Sequence, residues 1–208
     1  QAEAEAANLM ADNGNYFRGG DMHYVDQNGD HRIDSKDRVA LGSAAPDFFG
    51  GFYTQFKYKG FALGAEFSYS KGNMAYNAVR NQLEGMNTLG NQSIAVLNRW
   101  SLDGQVTDMP RVQHNDPYRS TSFSERWLED ASYLRMKSVT LSYSFNKTVL
   151  NFFRSGTLYV SGENLLTATK YLGLDPEFSY SYGEMSQGLD YAKMVQPKSV
   201  KFGVNLKF

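Results

Sequence analysis

The stretch SVKFGVNLKF, residues 199–208, alternates strictly between apolar and polar side chains. Successive side chains of a β-strand point to opposite faces, so this stretch predicts a strand with one apolar face and one polar face. The apolar row consists of Val200, Phe202, Val204, Leu206 and Phe208.

Four further segments show the same period of two, and each is close to the roughly 9–11 residues that a tilted strand needs to cross a bilayer. The five predicted strands have the approximate bounds Phe48–Lys57, Phe61–Lys71, Tyr133–Phe145, Gly156–Asn164 and Ser199–Phe208. One row of each strand is apolar, whereas the opposite rows are rich in Gly, Ser, Ala and Thr. Such polar rows suit the wall of a water-filled lumen, but they do not exclude a soluble sheet.

The connections between these segments favour a membrane barrel over a soluble sheet. They cover residues 58–60, 72–132, 146–155 and 165–198, so short and long connections alternate. Long structureless loops are unusual in a compact domain, whereas outer-membrane barrels place short turns on the periplasmic side and long loops outside. We therefore expect an all-β fold in which antiparallel strands form part of a large transmembrane β-barrel with long extracellular loops.

The overall hydropathy of the sequence is compatible with a membrane barrel. The mean hydropathy is −0.50, and the sequence has no apolar run of about 18 residues that would predict a transmembrane helix. A barrel strand meets lipid with only every second residue, so its average hydropathy stays low. We predict an extracellular loop region over residues 1–47 and C-terminal barrel strands and loops over residues 48–208. Five strands cannot close a barrel, so we expect this to be an incomplete barrel that needs further strands from outside this segment.

Charge and residue content argue against several functions. The net charge of −1 gives no reason to expect a nucleic-acid partner, and the absence of cysteine excludes disulfides and thiolate metal sites. The three histidines, His23, His31 and His114, all fall in predicted loops, and no Ser/His/Asp spacing indicates a catalytic set. We therefore predict that the chain is not an enzyme. A barrel enzyme would need a nucleophile beside His114, and the sequence indicates none.

An acidic segment, residues 26–37, has the spacing of a twelve-residue calcium loop. Calcium prefers carboxylate and carbonyl oxygens. The predicted ligands are Asp26, Asn28, Asp30, the Arg32 carbonyl and Asp37. His31 stands where such loops usually have glycine, and Asp37 stands where they usually have glutamate. A solvated, metal-free Asp/Asn/Gly turn is an equally good interpretation.

Aromatic residues in the long loops are candidates for ligand contact. Trp100, Trp127 and the Tyr-rich run at residues 178–182 lie in or beside those loops. They would stack on a sugar or contact a partner protein if they were exposed. The alternative is that these side chains pack on one another inside the loops.

Four stretches together resemble the C-terminal end of the SusC/RagA family of TonB-linked outer-membrane proteins. They are DQNGDHRIDSKDRVALGSAAPDFFGGF, SERWLEDASYLRMKSVTLSYSF, LYVSGENLLTATKYLGLDPEF and MVQPKSVKFGVNLKF. The order of the steps WLED, GENL, DPE and QP is specific to this resemblance, whereas each step alone is weak.

The resemblance implies a 22-stranded barrel with an N-terminal plug domain that is not in this segment, placed in the cell outer membrane and contacting its lipid. It further implies TonB-dependent nutrient import of oligosaccharides or peptides, with a SusD-like surface lipoprotein as a lid. The TonB contact would be made by a part of the protein that lies outside this segment. The alternative function is a soluble calcium- or carbohydrate-binding β module.

Overall fold

The computed structural model describes residues 1–146, 154–178 and 187–207. In chain order the strands are β1 (Met10–Ala11), β2 (Arg32–Ile33), β3 (Phe48–Tyr58), β4 (Phe61–Lys71), β5 (Met74–Asn77), β6 (Leu128–Asp130), β7 (Tyr133–Asn146), β8 (Ser155–Thr169), β9 (Leu189–Asp190) and β10 (Ser199–Lys207). The α-helices are α1 (Ala2–Ala7) and α2 (Ala78–Glu84), and 3₁₀ turns cover Ser35–Asp37, Ile94–Asn98 and Glu125–Trp127.

The five predicted strands form one sheet in the order β10–β8–β7–β4–β3. Every neighbouring pair is antiparallel. The predicted strands are therefore confirmed, with one clear difference in length: β8 continues to Thr169, beyond the predicted end at Asn164. A short three-stranded sheet, in the order β6–β5–β9, lies outside this main sheet.

The strand register brings all apolar rows onto one face of the main sheet. One line of directly paired residues across the five strands is Phe202, Val160, Leu141, Leu63 and Phe56. The adjacent line, on the opposite face, is Lys201, Ser161, Thr140, Gly64 and Gln55. The apolar face is open, with Phe202 82% exposed. A soluble module would have to cover a continuous apolar surface of this kind.

Two β-bulges interrupt the alternation and were not predicted. In the first bulge, Lys137 of β7 is an extra residue relative to β4. In the second, two residues of β8, Asn164 and Leu165, lie opposite the single residue Lys137 of β7. Asn164 takes a left-handed backbone conformation with φ 52°, which Asn adopts more readily than most residues. Each bulge adds one residue to one strand. The apolar and polar rows therefore lie on the same faces of the sheet before and after the bulge.

A tight turn joins β3 to β4 and fixes their register. Its two central residues, Lys59 and Gly60, both have positive φ, at 44° and 86°, as in the turns that match the twist of a two-residue hairpin. Gly60 also approaches the backbone closely, because an added Cβ would lie 2.8 Å from the carbonyl oxygen of Ser144. A side chain at position 60 would therefore strain the hairpin.

Backbone contacts divide the chain into two compact units. One contains residues 43–75 and 129–208 and holds the main sheet, and the other contains residues 1–42 and 76–128. The contact units thus do not follow the predicted division at residues 47 and 48, because the long connection after β4 groups with the first 42 residues. The predicted extracellular position of residues 1–47 stays a prediction.

The unit of residues 1–42 and 76–128 has small apolar clusters of its own. Leu9, Ala11 and Phe17 form one cluster, against which Ile33 and Tyr118 pack. Met86, Val96 and Met109 form another. Among the described residues, no helix combines the length and apolar character needed to cross a membrane.

Candidate functional site

The polar face of the main sheet presents hydroxyl and charged side chains to one side. The Ser199 hydroxyl donates to Glu163 at 2.9 Å, and the Lys201 ammonium also donates to Glu163. Thr140 donates to Ser161 at 2.9 Å. These contacts link β10, β8 and β7, so they form a hydrophilic wall on the face opposite the apolar one.

Tyrosine rings on this face cover glycines of neighbouring strands. Gly203 pairs directly with Tyr159, and an added Cβ at Gly203 would lie 2.2 Å from the Tyr159 ring. Tyr53 covers Gly64 in the same way, with its hydroxyl 2.7 Å from where a Cβ would stand. The glycines therefore let large rings lie flat on the wall.

A charge cluster with a buried ion pair lies where β7 and β8 reach the end of the sheet that carries the long connections. Arg135, only 3% exposed, donates through Nε to the Thr167 hydroxyl at 3.1 Å and through Nη2 to Asp175. Its Nη1 lies 3.0 Å from Oε2 of Glu177. Lys137 Nζ donates to both Glu177 carboxylate oxygens at 2.7 Å. We call Arg135, Lys137, Asp175 and Glu177 the charge cluster.

Asp175 receives more donors than its ion pair alone. Its Oδ1 accepts the backbone N–H of Glu177 at 2.9 Å, and its Oδ2 accepts that of Gln196 at 3.2 Å. Burial acts to raise the pKa of Asp175, but the hydrogen bonds from Arg135 and these two amides outweigh burial and hold the pKa below its usual value. The carboxylate is therefore ionised at neutral pH.

A cavity of about 430 Å³ lies beside the charge cluster. Strand residues Thr167 and Thr169 form part of its wall, and Leu174, Pro176 and Gln196 of the connection form another part. The charged residues Arg135, Asp175 and Lys198 also line it, so the cavity combines charged, hydroxyl and apolar groups.

A second buried contact fixes the connection that follows β8. The Tyr171 hydroxyl donates to Oδ2 of Asp190 at 2.6 Å, and the Leu172 amide donates to Glu129 at 2.9 Å. Tyr171 packs with Ala75 and Ala131 in an apolar cluster. Burial, reinforced by the Asp190 carboxylate, raises the pKa of Tyr171, so its hydroxyl keeps its proton and serves as a donor.

The acidic segment 26–37 is a loop closed by its own side chains. Asp26 accepts the amides of Gly29 at 2.7 Å and His31 at 2.8 Å, and Asp30 accepts that of Arg32 at 2.9 Å. His31 has φ 61°, so it takes the left-handed conformation for which such loops usually use glycine.

The predicted calcium ligands have oxygen donors of the right kind, but their carboxylates do not converge in this conformation. Asn28 accepts the Asp30 amide at 2.9 Å, and Asp37 accepts those of Gln27 at 2.9 Å and Asp34 at 2.8 Å. In the part of the chain that the structure describes, no group of three or more His, Cys, Asp or Glu side chains is arranged to hold a metal ion. The calcium site stays a prediction.

The two tryptophans of the long loops do not form an exposed surface for stacking. Trp127 is only 1% exposed, and the guanidinium carbons of Arg80 and Arg126 lie 5.5 and 5.0 Å from the centre of its ring. Trp127 thus packs inside its unit and cannot stack on a sugar. Trp100 is half-buried, and most of the Tyr-rich run, residues 179–182, lies outside the described residues.

The histidines do not come together. His114 lines a hollow of about 310 Å³ with Thr88 and Arg99, whereas His31 lies on the acidic loop with its ring Nδ1 3.3 Å from the Ala7 carbonyl oxygen.

Sequence reasoning identified neither Arg135 nor its role. The step Asp175-Pro176-Glu177, noted for its resemblance, was the one signal that pointed to this place.

The chain is similar to known receptors along most of its length. It is 32% identical over 197 residues to TonB-dependent receptor P3 of Formosa agariphila, covering 91% of this chain and 19% of that receptor. It is 26% identical over 188 residues to the TonB-dependent receptor SusC of Bacteroides thetaiotaomicron, covering 89% of this chain and 17% of SusC. The chain thus spans about a fifth of the length of the curated relatives it matches. No protein-family model matches it.

Solved structures give the same result. The RagAB peptide transporter matches with a TM-score of 0.70 at 28% identity, covering 85% of this chain and 19% of the other. The RagAB peptide importer in the closed-closed state matches with a TM-score of 0.68 at 30% identity, covering 81% and 18%. These relatives are named as receptors and transporters, in agreement with the prediction that the chain is not an enzyme. Along about 90% of its length the chain is therefore similar to SusC/RagA-type TonB-dependent receptors, and its main sheet is a portion of a barrel of the cell outer membrane.

Proposed function

We propose that the full-length protein is a SusC-like importer that takes up oligosaccharides or peptides, driven by TonB and working with a SusD-like surface lipoprotein. The observation that carries this proposal is the main sheet, in which a continuous apolar face lies directly opposite a hydroxyl-rich polar face. The match of about 90% of the chain to TonB-dependent receptors supports the same function.

The polar face contributes hydrogen-bonding groups along the route of the nutrient. Hydroxyls such as those of Thr140 and Ser161, together with the exposed ions Glu163 and Lys201, replace water around a polar solute. Many weak, similar contacts allow a solute to enter and leave, whereas one strong site would hold it.

Uptake by cells tests the nutrient class. Cells that carry or lack the full-length gene would be given labelled peptide mixtures and labelled oligosaccharides, each with and without a functional TonB. We expect TonB-dependent uptake of one class that disappears when the gene is deleted. Unchanged uptake and growth of the deletion strain on both classes would contradict the importer function.

The proposed partner is tested separately. A tagged full-length protein would be extracted in mild detergent, and co-purifying proteins would be identified by mass spectrometry. We expect one surface lipoprotein in a stoichiometric amount. Recovery of the receptor without any lipoprotein, under conditions where a known receptor–lipoprotein pair stays together, would contradict this part.

Calcium binding by the acidic loop is a further part of the proposal, with a structural role in stiffening the loop. The oxygen chemistry of Asp26, Asp30 and Asp37 supports it, because carboxylate oxygens that accept backbone amides keep further lone pairs for a cation. Calorimetric titration of calcium chloride into the full-length protein should show a binding event that D26A removes. Identical heats for wild type and D26A would leave the loop as a metal-free turn.

A further inference from the structure

One carboxylate joins three separate parts of the unit that contains the main sheet. Asp175 lies early in the connection between β8 and β10, Arg135 lies on β7, and Gln196 lies late in the same connection. Asp175 accepts from Arg135 with one oxygen and from the Gln196 amide, at 3.2 Å, with the other. Both ends of the connection are therefore held at one point of the polar face.

Burial distinguishes this ion pair from the exposed pair of Lys201 and Glu163 on the same polar face. The side chains of Arg135 and Asp175 are 4% and 7% exposed, whereas those of Lys201 and Glu163 are 59% and 39% exposed. Removing one partner of a buried pair leaves an uncompensated charge away from water, which is strongly unfavourable. An exposed pair contributes little, because water and salt screen it.

The base of the connection has an independent attachment. Tyr171 bonds Asp190 at 2.6 Å, and Glu129 accepts the Leu172 amide at 2.9 Å. Loss of the Asp175 contacts therefore loosens the part that lies against the wall, which is then held by the bonds from Lys137 to Glu177 and from Asn164 to the Pro197 carbonyl oxygen, while the base and the strands stay in place.

We propose that Asp175 is a clasp that fixes residues 173–178 and 191–198 against the polar face of the sheet, with Arg135 as its buried counterion. The cavity of about 430 Å³ has strand residues on one side and the connection on the other, so opening the clasp removes one of its walls. The consequence for nutrient capture rests on the proposed function, whereas the clasp itself does not.

Limited proteolysis of the full-length protein in detergent tests the clasp. Lys193 and Lys198 are exposed in the late part of the connection and are trypsin sites. D175N keeps the shape of the side chain but removes its charge. We expect trypsin to cut after these lysines at least about tenfold faster in D175N than in wild type, because cleavage follows the open population. The matched control E163Q should stay within about twofold, because its ion pair is exposed.

Barrel folding is measured in the same samples by the shift in gel mobility between unheated and heated protein. If folded D175N is cut at the wild-type rate, or if E163Q is accelerated equally, the clasp is refuted. Should D175N fail to fold, R135K carries the test. Lysine keeps the charge but cannot replace the two donors that Arg135 directs at Asp175 and Thr167, so cleavage should rise to an intermediate rate, and a wild-type rate would refute the clasp.

Uptake kinetics connect the clasp to nutrient capture. We expect D175N to raise the half-saturating nutrient concentration several-fold while the maximal rate stays near that of wild type. Faster proteolysis in D175N together with no uptake by wild type would retain the clasp and reject the proposed function. Normal uptake by wild type, together with unchanged proteolysis of D175N, would retain the proposed function and reject the clasp.

Discussion

A charge placed at Val204 should impair barrel assembly. Val204 lies one residue from the centre of β10, is 58% exposed and pairs with Leu158 on the apolar face. An arginine on the lipid face near the bilayer midplane costs about 2–4 kcal/mol, and close to the interfaces about 0–1 kcal/mol. For V204R we expect about 3 kcal/mol, a factor of about 150 in the folding equilibrium at 1.4 kcal/mol per tenfold change.

The adjacent Asn205 provides the matched control, because its side chain lies on the polar face. An arginine there should change stability by about 0.5 kcal/mol or less, as for other solvated surface positions. The assay is the fraction of full-length protein that reaches the outer membrane in the heat-modifiable, folded form. Equal folded fractions for V204R and N205R would refute the assignment of the two faces.

Three further predictions concern packing and pH. G203A should destabilise the barrel by about 1–3 kcal/mol because its Cβ would meet the Tyr159 ring at 2.2 Å, and adding Y159A should restore much of the loss in denaturant titrations. W127A should cost about 3–5 kcal/mol, seen as faster proteolysis within residues 76–128, with W127F milder. The lowered pKa of Asp175 means that its stabilisation is complete above its unfolded pKa of about 3.9 and is lost as pH falls through the lower folded value. Hydrogen exchange at Gln196 should therefore lose protection at acidic pH in wild type, and D175N should show little protection at any pH.

The strands of the main sheet could be predicted because alternation reports directly which face each residue occupies. Where that alternation fails, prediction failed too. Leu165 and Leu166 are adjacent apolar residues, so the predicted strand ended at Asn164, although β8 continues to Thr169. The structure keeps both faces by placing a bulge there, and period-two reasoning has no means of identifying such an inserted residue.

The charge cluster could not be predicted because its partners are set by tertiary structure. Arg135 and Asp175 are 40 residues apart, and neither spacing nor composition indicates that they meet. The polar row that contains Arg135 has the pattern of a solvent-exposed face. Arg135 is buried because the connection after β8 folds over it. The same limit applied to Trp127. The sequence does not show whether a tryptophan in a loop is exposed or packs against arginines, as Trp127 does.

The edges of the main sheet place a physical condition on how the chain functions. Within the described residues, β10 and β3 each pair on one side only, so each presents a row of backbone N–H and C=O groups. In hydrocarbon such groups cost several kcal/mol each when they remain unpaired, which is why spanning sheets close into barrels. The apolar face requires lipid, and lipid requires that both edges be paired. These five strands are therefore stable in the outer membrane only as part of a larger closed barrel, consistent with relatives of which the chain covers about a fifth.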